Sequence, residues 1–244
     1  MTPPIRSAEA ALPALSAPTA RPLSIPPYLE QVYWWAYVHP KAVTVFEREW
    51  LVSAILFGHY AQLREAALDD LGAAVAGKTL QVACAYGNLT PKLQQRLAPE
   101  ASLDVVDILP IQLKNLAGKL VTDPRVTLQQ GDSSSLAYPD ASYDQVLLFF
   151  LLHEQPLAVR RATLAEAMRV VKPGGKVVIV DYHRPSRWHV IRPLMRLVFR
   201  KLEPYAMDLW DNEVLDFMPP DLHPASMTKQ TYFGGLYQKL LLTR

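Results

Sequence analysis

The stretch Thr79-Leu80-Gln81-Val82-Ala83-Cys84-Ala85-Tyr86-Gly87-Asn88-Leu89-Thr90 reads as a short apolar strand, a turn at Tyr86-Gly87-Asn88 and the start of a helix. Working downstream, residues 89–97 form a helix candidate, 103–106 a second strand and 110–120 a second helix. Residues 126–129 make a third strand and 144–152 a fourth, apolar from Val146 to Leu152. Residues 157–171 have the spacing of an amphipathic helix, which Pro173-Gly174-Gly175 ends before a fifth strand at 176–180. Strands that alternate with helices predict a parallel α/β sheet, because parallel neighbours need crossover connections. Strands that are apolar almost throughout predict a sheet covered on both faces.

Working upstream, residues 28–71 read mostly as helix, and aromatic Tyr33, Trp34, Trp35 and Tyr37 crowd the start. No glycine or proline interrupts 41–57, so a helix is expected there. Residues 1–27 hold seven of the 21 prolines and many alanines, and no apolar run of the kind a secretory signal has. A disordered arm is expected. At the other end, residues 187–202 read as a basic amphipathic helix, followed by an acidic stretch. Segments 228–233 and 236–242 flank Gly234-Gly235, a hairpin turn signal, so an antiparallel pair is expected to finish the sheet.

The bulk composition narrows the classes. The chain has 244 residues, a formal net charge of +2 and 50% hydrophobic residues, enough for a real core. Cys84 is the one cysteine, which excludes an internal disulfide and a cysteine-rich zinc site. A reducing, cytoplasmic setting is expected. The small net charge gives no ground for nucleic-acid binding. No run approaches the ~18 apolar residues that a membrane span needs.

A strand, a glycine turn, a helix and then a strand ending in an acid make a nucleotide-binding arrangement. Asp107 closes the second strand, 20 residues after Gly87, where it can accept hydrogen bonds from ribose hydroxyls. Gly131-Asp132-Ser133 follows the third strand, and Val171-Lys172-Pro173-Gly174-Gly175-Lys176 completes the series. Over residues 79–181 this series resembles the class I S-adenosylmethionine-dependent methyltransferases, in the branch that methylates ubiquinone and menaquinone precursors. Tyr33-Trp34-Trp35-Ala36-Tyr37-Val38-His39-Pro40, Phe46-Glu47-Arg48-Glu49-Trp50-Leu51, Leu152-His153-Glu154-Gln155-Pro156 and Asp181-Tyr182-His183-Arg184-Pro185 are similar to the rhodoquinone biosynthesis (RquA) family. That likeness extends from about residue 28 to the C-terminus.

The first resemblance implies a Rossmann-like fold, with a mostly parallel sheet, an N-terminal helical cover over 28–76, a cofactor-binding core over 77–183 and a C-terminal extension over 184–244. The second implies an enzyme that exchanges a methoxy group of ubiquinone for an amino group. S-adenosylmethionine is then the amino donor and manganese assists. The implied cofactor contacts are Ala83, Cys84, Tyr86, Gly87, Asp107, Ile108, Asp132 and Ser133. The implied catalytic residues are Gln81, Tyr86, His153, Asp181 and Tyr182, and the implied metal ligands His153, Glu154 and His183.

The turn departs from the methyltransferase pattern. Gln81 stands at the usual acidic position, and Cys84 and Ala85 stand where glycines are usual. An anion raises the pKa of a neighbouring ammonium, so Gln81 would leave the cofactor amine easier to deprotonate. A drifted loop accounts for the same residues.

Other residues also keep two readings. Asp132 contacts the cofactor or simply makes a turn. His153 and Glu154 supply a base or metal ligands, or cap the following helix. The aromatic cluster receives a quinone or serves as core. Cys84 reads as an inert buried thiol. The basic helix lies on an anionic membrane, at the inner face of the cytoplasmic membrane, or covers the domain with a solvated face. Glu203, Asp208, Asp211, Glu213, Asp216 and Asp221 line a metal approach, pair with the basic helix or form a solvated loop, and the loop is the favoured reading. The rival functions are a conventional methyltransferase on a quinone or aromatic precursor, and a non-catalytic binding protein on the same scaffold.

Overall fold

A computed structural model describes residues 23–220 and 222–244. Most of the proline-rich arm, residues 1–22, and residue 221 lie outside the described residues. Seven strands form one sheet: β1 (Lys78–Val82), β2 (Ser102–Asp107), β3 (Val126–Gln130), β4 (Tyr143–Phe149), β5 (Val171–Tyr182), β6 (Ser226–Tyr232) and β7 (Tyr237–Thr243). Their spatial order is β3-β2-β1-β4-β5-β7-β6. The pairs among β1 to β5 are parallel, and β7 runs antiparallel to both β5 and β6. This is the Rossmann-like sheet with its terminal antiparallel hairpin.

The helices are α1 (Pro27–Gln31), α2 (Pro40–Phe46), α3 (Glu49–Ile55), α4 (Tyr60–Leu71), α5 (Leu89–Gln95), α6 (Pro110–Ala117), α7 (Leu157–Val170), α8 (Arg192–Leu202) and α9 (Asp208–Asp211). A π-helical turn, Trp34–Val38, links α1 to α2. The period of two sorts the strand residues between the two faces. Leu147, Phe149, Val178 and Val180 join a core with α4, α5, α6 and α8. Val146, Leu148, Val177 and Ile179 join the opposite core with α7. Both faces are thus covered, which is why these strands tolerate continuous apolar sequence.

Four local expectations are corrected. The helix expected over 41–57 breaks at Glu47 and Arg48, where Arg48 is extended. The Glu47 carboxylate is drawn away to accept from Lys119 Nζ at 2.6 Å and from the Gly87 amide at 3.2 Å. The fourth strand stops at Phe149, because Phe150 has φ 53° and a 3₁₀ turn, Leu152–Glu154, follows. Pro173-Gly174-Gly175 does not end a helix. Val171 already pairs with Tyr143, and the register resumes at Lys176 opposite Gln145, so the turn is a bulge within β5. The basic helix starts at Arg192 rather than 187, with Pro193 in its first turn, where its missing N–H costs nothing.

Candidate active site

The strand order reverses between β1 and β4, and the C-terminal ends of β1, β2, β4 and β5 surround a cavity of about 200 Å³. A crevice at such a reversal is the usual ligand site of open α/β sheets. The turn after β1 forms one wall. Ala83 holds φ 70°, a left-handed conformation that costs a non-glycine residue about 1–2 kcal/mol. Gly87 is also left-handed, and a Cβ there would stand 2.6 Å from the Tyr60 hydroxyl. That hydroxyl accepts from the amides of Asn88 (2.9 Å) and Leu89 (3.0 Å), and so caps α5 from a distant helix.

Asp107 lies at the end of β2 on the cavity wall, beside Ile108. Its carboxylate accepts from the Cys84 amide at 2.7 Å and the Leu109 amide at 2.8 Å. Burial raises it to about 6, with both amides acting against the rise. Each oxygen has spent one acceptor position, so lone pairs remain for two ribose hydroxyls. Burial and the Asp107 charge push the Cys84 thiol well above its ordinary value, as suits an inert thiol.

The far wall carries the titratable groups. Phe150 turns the chain after β4 so that His153 and Glu154 reach the cavity. His153 Nδ1 donates to Asp181 Oδ1 at 2.9 Å. Asp181 is fully buried and also accepts from the amides of Leu152, His153 and Tyr182. It stands behind His153 and orients the ring. Burial opposes the charge on His153, but Asp181, Glu154 and Glu203 outweigh it and raise the imidazole to about 9. Burial raises Glu154 to about 8, with His153 acting against the rise. Its Oε1 accepts a short hydrogen bond from the Tyr37 hydroxyl and lies 3.7 Å from His153 Nε2, beyond a good hydrogen bond. The neighbouring carboxyls thus favour the protonated ring, and its Nε2 is not taken by either carboxyl.

Tyr182 lines the same wall, its ring 4.9 Å from His153, with its phenol raised far up by burial. Tyr86 stacks on Tyr37 at 5.6 Å and on Phe46 at 6.1 Å, which makes a flat aromatic wall. Its hydroxyl donates to Ala36 O at 2.6 Å and accepts from Gln112 Nε2 at 2.8 Å, which fastens the helical cover to the turn. The aromatic cluster of the cover divides its labour. Trp35 and Tyr37 face the cavity, Tyr33 is buried and Trp34 is exposed.

Gly87 does not line the cavity, its amide donating to Glu47 Oε1 at 3.2 Å, and three further expected site residues lie elsewhere. Gln81 is fully buried beneath the turn; its amide donates to Ala83 O at 3.0 Å and accepts from Thr90 Oγ1 at 2.9 Å. It shapes the turn from below and does not line the cavity. Asp132 accepts from the amide and hydroxyl of Ser134 (2.8 and 2.7 Å), and closes a turn, while Ser133 beside it reaches the cavity. His183 does not line the cavity and is bonded to Gly235 O at 2.8 Å and to Lys229 at 3.0 Å.

His153, Glu154 and His183 therefore make no common site. Among the described residues no group of three His, Cys, Asp or Glu side chains is arranged to hold a metal ion. The residues present do not fit manganese.

Glu203 is a member of the wall that the sequence reading assigned to a solvated loop. Burial raises its carboxyl, with His153 acting against the rise. A signal was available. Glu203 directly follows α8, where the negative end of the helix dipole disfavours an acid. Two further acids of that stretch are paired. Asp208 pairs with buried Arg160 at 3.1 Å, and Glu213 pairs with Lys229.

Comparison with known proteins agrees with this geometry. Residues 79–175 match the methyltransferase domain family. An uncharacterized methyltransferase of Synechocystis sp. is 28% identical over 160 residues, 66% of this chain and 71% of that protein. A demethylmenaquinone methyltransferase of Staphylococcus aureus is 29% identical over 154 residues, 63% of each chain. Human N-acetylserotonin methyltransferase, solved in complex with S-adenosylmethionine, shares the fold with a TM-score of 0.60 at 14% identity, over 89% of this chain and 62% of that one. The N-methyltransferase NodS of Bradyrhizobium japonicum does so with a TM-score of 0.55 at 14% identity, over 75% of this chain and 95% of that one. Residues 79–175 thus resemble a methyltransferase domain, and the chain shares the fold of solved methyltransferases, one of them in complex with S-adenosylmethionine.

Proposed function

We propose that this protein replaces a methoxy group of ubiquinone by an amino group drawn from S-adenosylmethionine, the step that makes rhodoquinone. The observation that carries the reading is the buried His153–Asp181 pair, facing an aromatic-walled cavity that begins at a turn without its usual acid. Held at the turn after β1 and at Asp107, S-adenosylmethionine would supply the amine that takes the place of methoxide, with methanol and an unsaturated acid as the by-products.

The residues would divide the work as follows. Asp107 takes the ribose hydroxyls. The carboxylate usual at position 81 is replaced by an amide bonded to Ala83 and Thr90 beneath the turn, so it does not hold the donor amine as an ammonium. The stacked Tyr37 and Tyr86 hold the flat quinone ring. The imidazolium of His153 donates from Nε2 to the carbonyl oxygen on which negative charge develops, and Asp181 keeps the ring in place. Glu154 and Glu203 are the groups that receive and return protons, because burial brings their carboxyls toward neutral pH.

The test is a product assay. Full-length protein is incubated with S-adenosylmethionine labelled with heavy nitrogen in its amine and with a short-tailed ubiquinone, and the quinone is analysed by mass spectrometry. Loss of methoxy with gain of labelled amino is the expected result. His153→Gln should lower turnover by about 10²-fold or more while cofactor affinity stays within about twofold. A methylated quinone would instead favour the second reading, a conventional quinone methyltransferase, which the likeness to demethylmenaquinone methyltransferase supports. Unchanged quinone with stoichiometric cofactor binding would point to a non-catalytic binding protein.

A further inference from the structure

Helix α8 presents two unlike sides. Met195 and Phe199 are buried, and the Phe199 ring lies 4.8 Å from Tyr182, so the inner side backs the cavity wall. The outer side exposes Leu194 at 50% and Leu197 at 57%, next to exposed Arg196, Arg200 and Lys201. Just before the helix, Trp188 is 79% and Val190 89% exposed. Large apolar side chains in such density on an open surface mark a docking site. The cations around them are unspent. Among the described residues, Arg187, Arg192, Arg196, Arg200 and Lys201 form no ion pair, and the contact recorded for their side chains is Arg187 over the Trp188 ring at 4.9 Å.

We propose that this face seats the protein on an anionic lipid surface, with Trp188, Val190, Leu194 and Leu197 entering the interface and the cations meeting lipid phosphates. The chemistry favours that occupant. An apolar strip with basic residues along it and a tryptophan at its edge matches the boundary between acyl chains and charged headgroups. A second copy is disfavoured, since two-fold pairing would set five unpaired cations against five. Nucleic acid is disfavoured by the apolar centre, since a phosphate backbone offers nothing to cover it. No helix among the described residues is long and apolar enough to cross a membrane, so the contact is one of lying on the surface. This inference rests on the surface alone and is independent of the reaction proposed above.

The test is co-sedimentation of the full chain with phosphatidylcholine vesicles, with and without phosphatidylglycerol. Binding is expected with phosphatidylglycerol, weaker by about tenfold or more without it, and weaker as salt rises. Arg196→Glu with Arg200→Glu, and separately Trp188→Ser with Leu197→Ser, should each lower binding about tenfold or more. All four side chains are exposed, so melting temperature should be unchanged and confirms that the variants fold. The emission of Trp188 should shift to the blue on vesicles, a shift missing in Trp188→Phe. The proposal is overturned if phosphatidylglycerol vesicles bind no protein or both variant pairs bind like the parent. It is also overturned if light scattering shows a dimer that the same variants dissolve, or if a DNA duplex competes the protein off the vesicles.

Discussion

His153 is where the chemistry of a single side chain has consequences for the whole protein. Its folded value near 9 exceeds the ordinary 6.5, so the folded state holds its proton more firmly than the unfolded state does. The stability from the His153–Asp181 pair is then fully present below pH 6.5 and is lost as pH rises through 9. Glu154, raised from 4.5 to about 8, adds a decline of the same sign in its own lower window. The melting temperature should therefore fall between pH 6.5 and 9, and His153→Gln should flatten the part between 8 and 9, above the window of Glu154. Scanning calorimetry across that range measures both. A parent midpoint that climbs with pH there would contradict the pairing. Asp107 was legible from spacing, because the end of the second strand is set by the length of a βαβ unit. Gln81 was legible only as a departure. That its amide closes on Ala83 and Thr90 became visible once the turn was folded.

At the scale of elements, the turn after β1 and helix α5 depend on a residue from another helix. The Tyr60 hydroxyl does for α5 what a serine or aspartate cap normally does, since Asn88 makes no side-chain cap of its own. Tyr60→Phe should cost about 1–2 kcal/mol in urea unfolding, because two helix-end amides lose their acceptor. Unchanged stability would mean that water replaces the hydroxyl there. The same dependence explains which elements the sequence revealed. The strands and helices of the core stand within a few residues of their expected places, because burial on a sheet or helix face imposes its period on the sequence itself. The helical cover was legible as helical but not as a set of short pieces. Its break at Glu47 is made by Lys119 and Gly87, far along the chain. Likewise Pro173-Gly174-Gly175 reads locally as a helix stop, and only its pairing between β4 and the C-terminal Arg244 makes it a bulge.

Over the whole molecule, Arg160 on α7 links the two segments that carry the acidic side of the site. It is fully buried and donates to Leu152 O and Gln155 O, on either side of His153 and Glu154, and to Tyr205 O, two residues beyond Glu203. Arg160→Met should destabilise the fold by about 3 kcal/mol or more, since three carbonyls lose their donor and the Asp208 pair is broken. Thermal denaturation measures this, and a loss below about 1 kcal/mol would show that the segments hold together without it.

The sequence by itself determined the alternation of strands and helices, the covered parallel sheet, the closing hairpin and the place of the cofactor turn. Each of these is written in local hydrophobic period and turn chemistry, and needs no knowledge of distant partners. The tertiary structure decided the membership of the site. Tyr37 meets Glu154 across 117 positions of chain, and Glu203 arrives from the end of α8. It also took Asp132 and His183 out of the site, through bonds to Ser134 and Gly235. The physical reason is that a side chain's partners and protonation follow from which elements pack around it, and that packing joins residues whose separation along the chain carries no periodic signal.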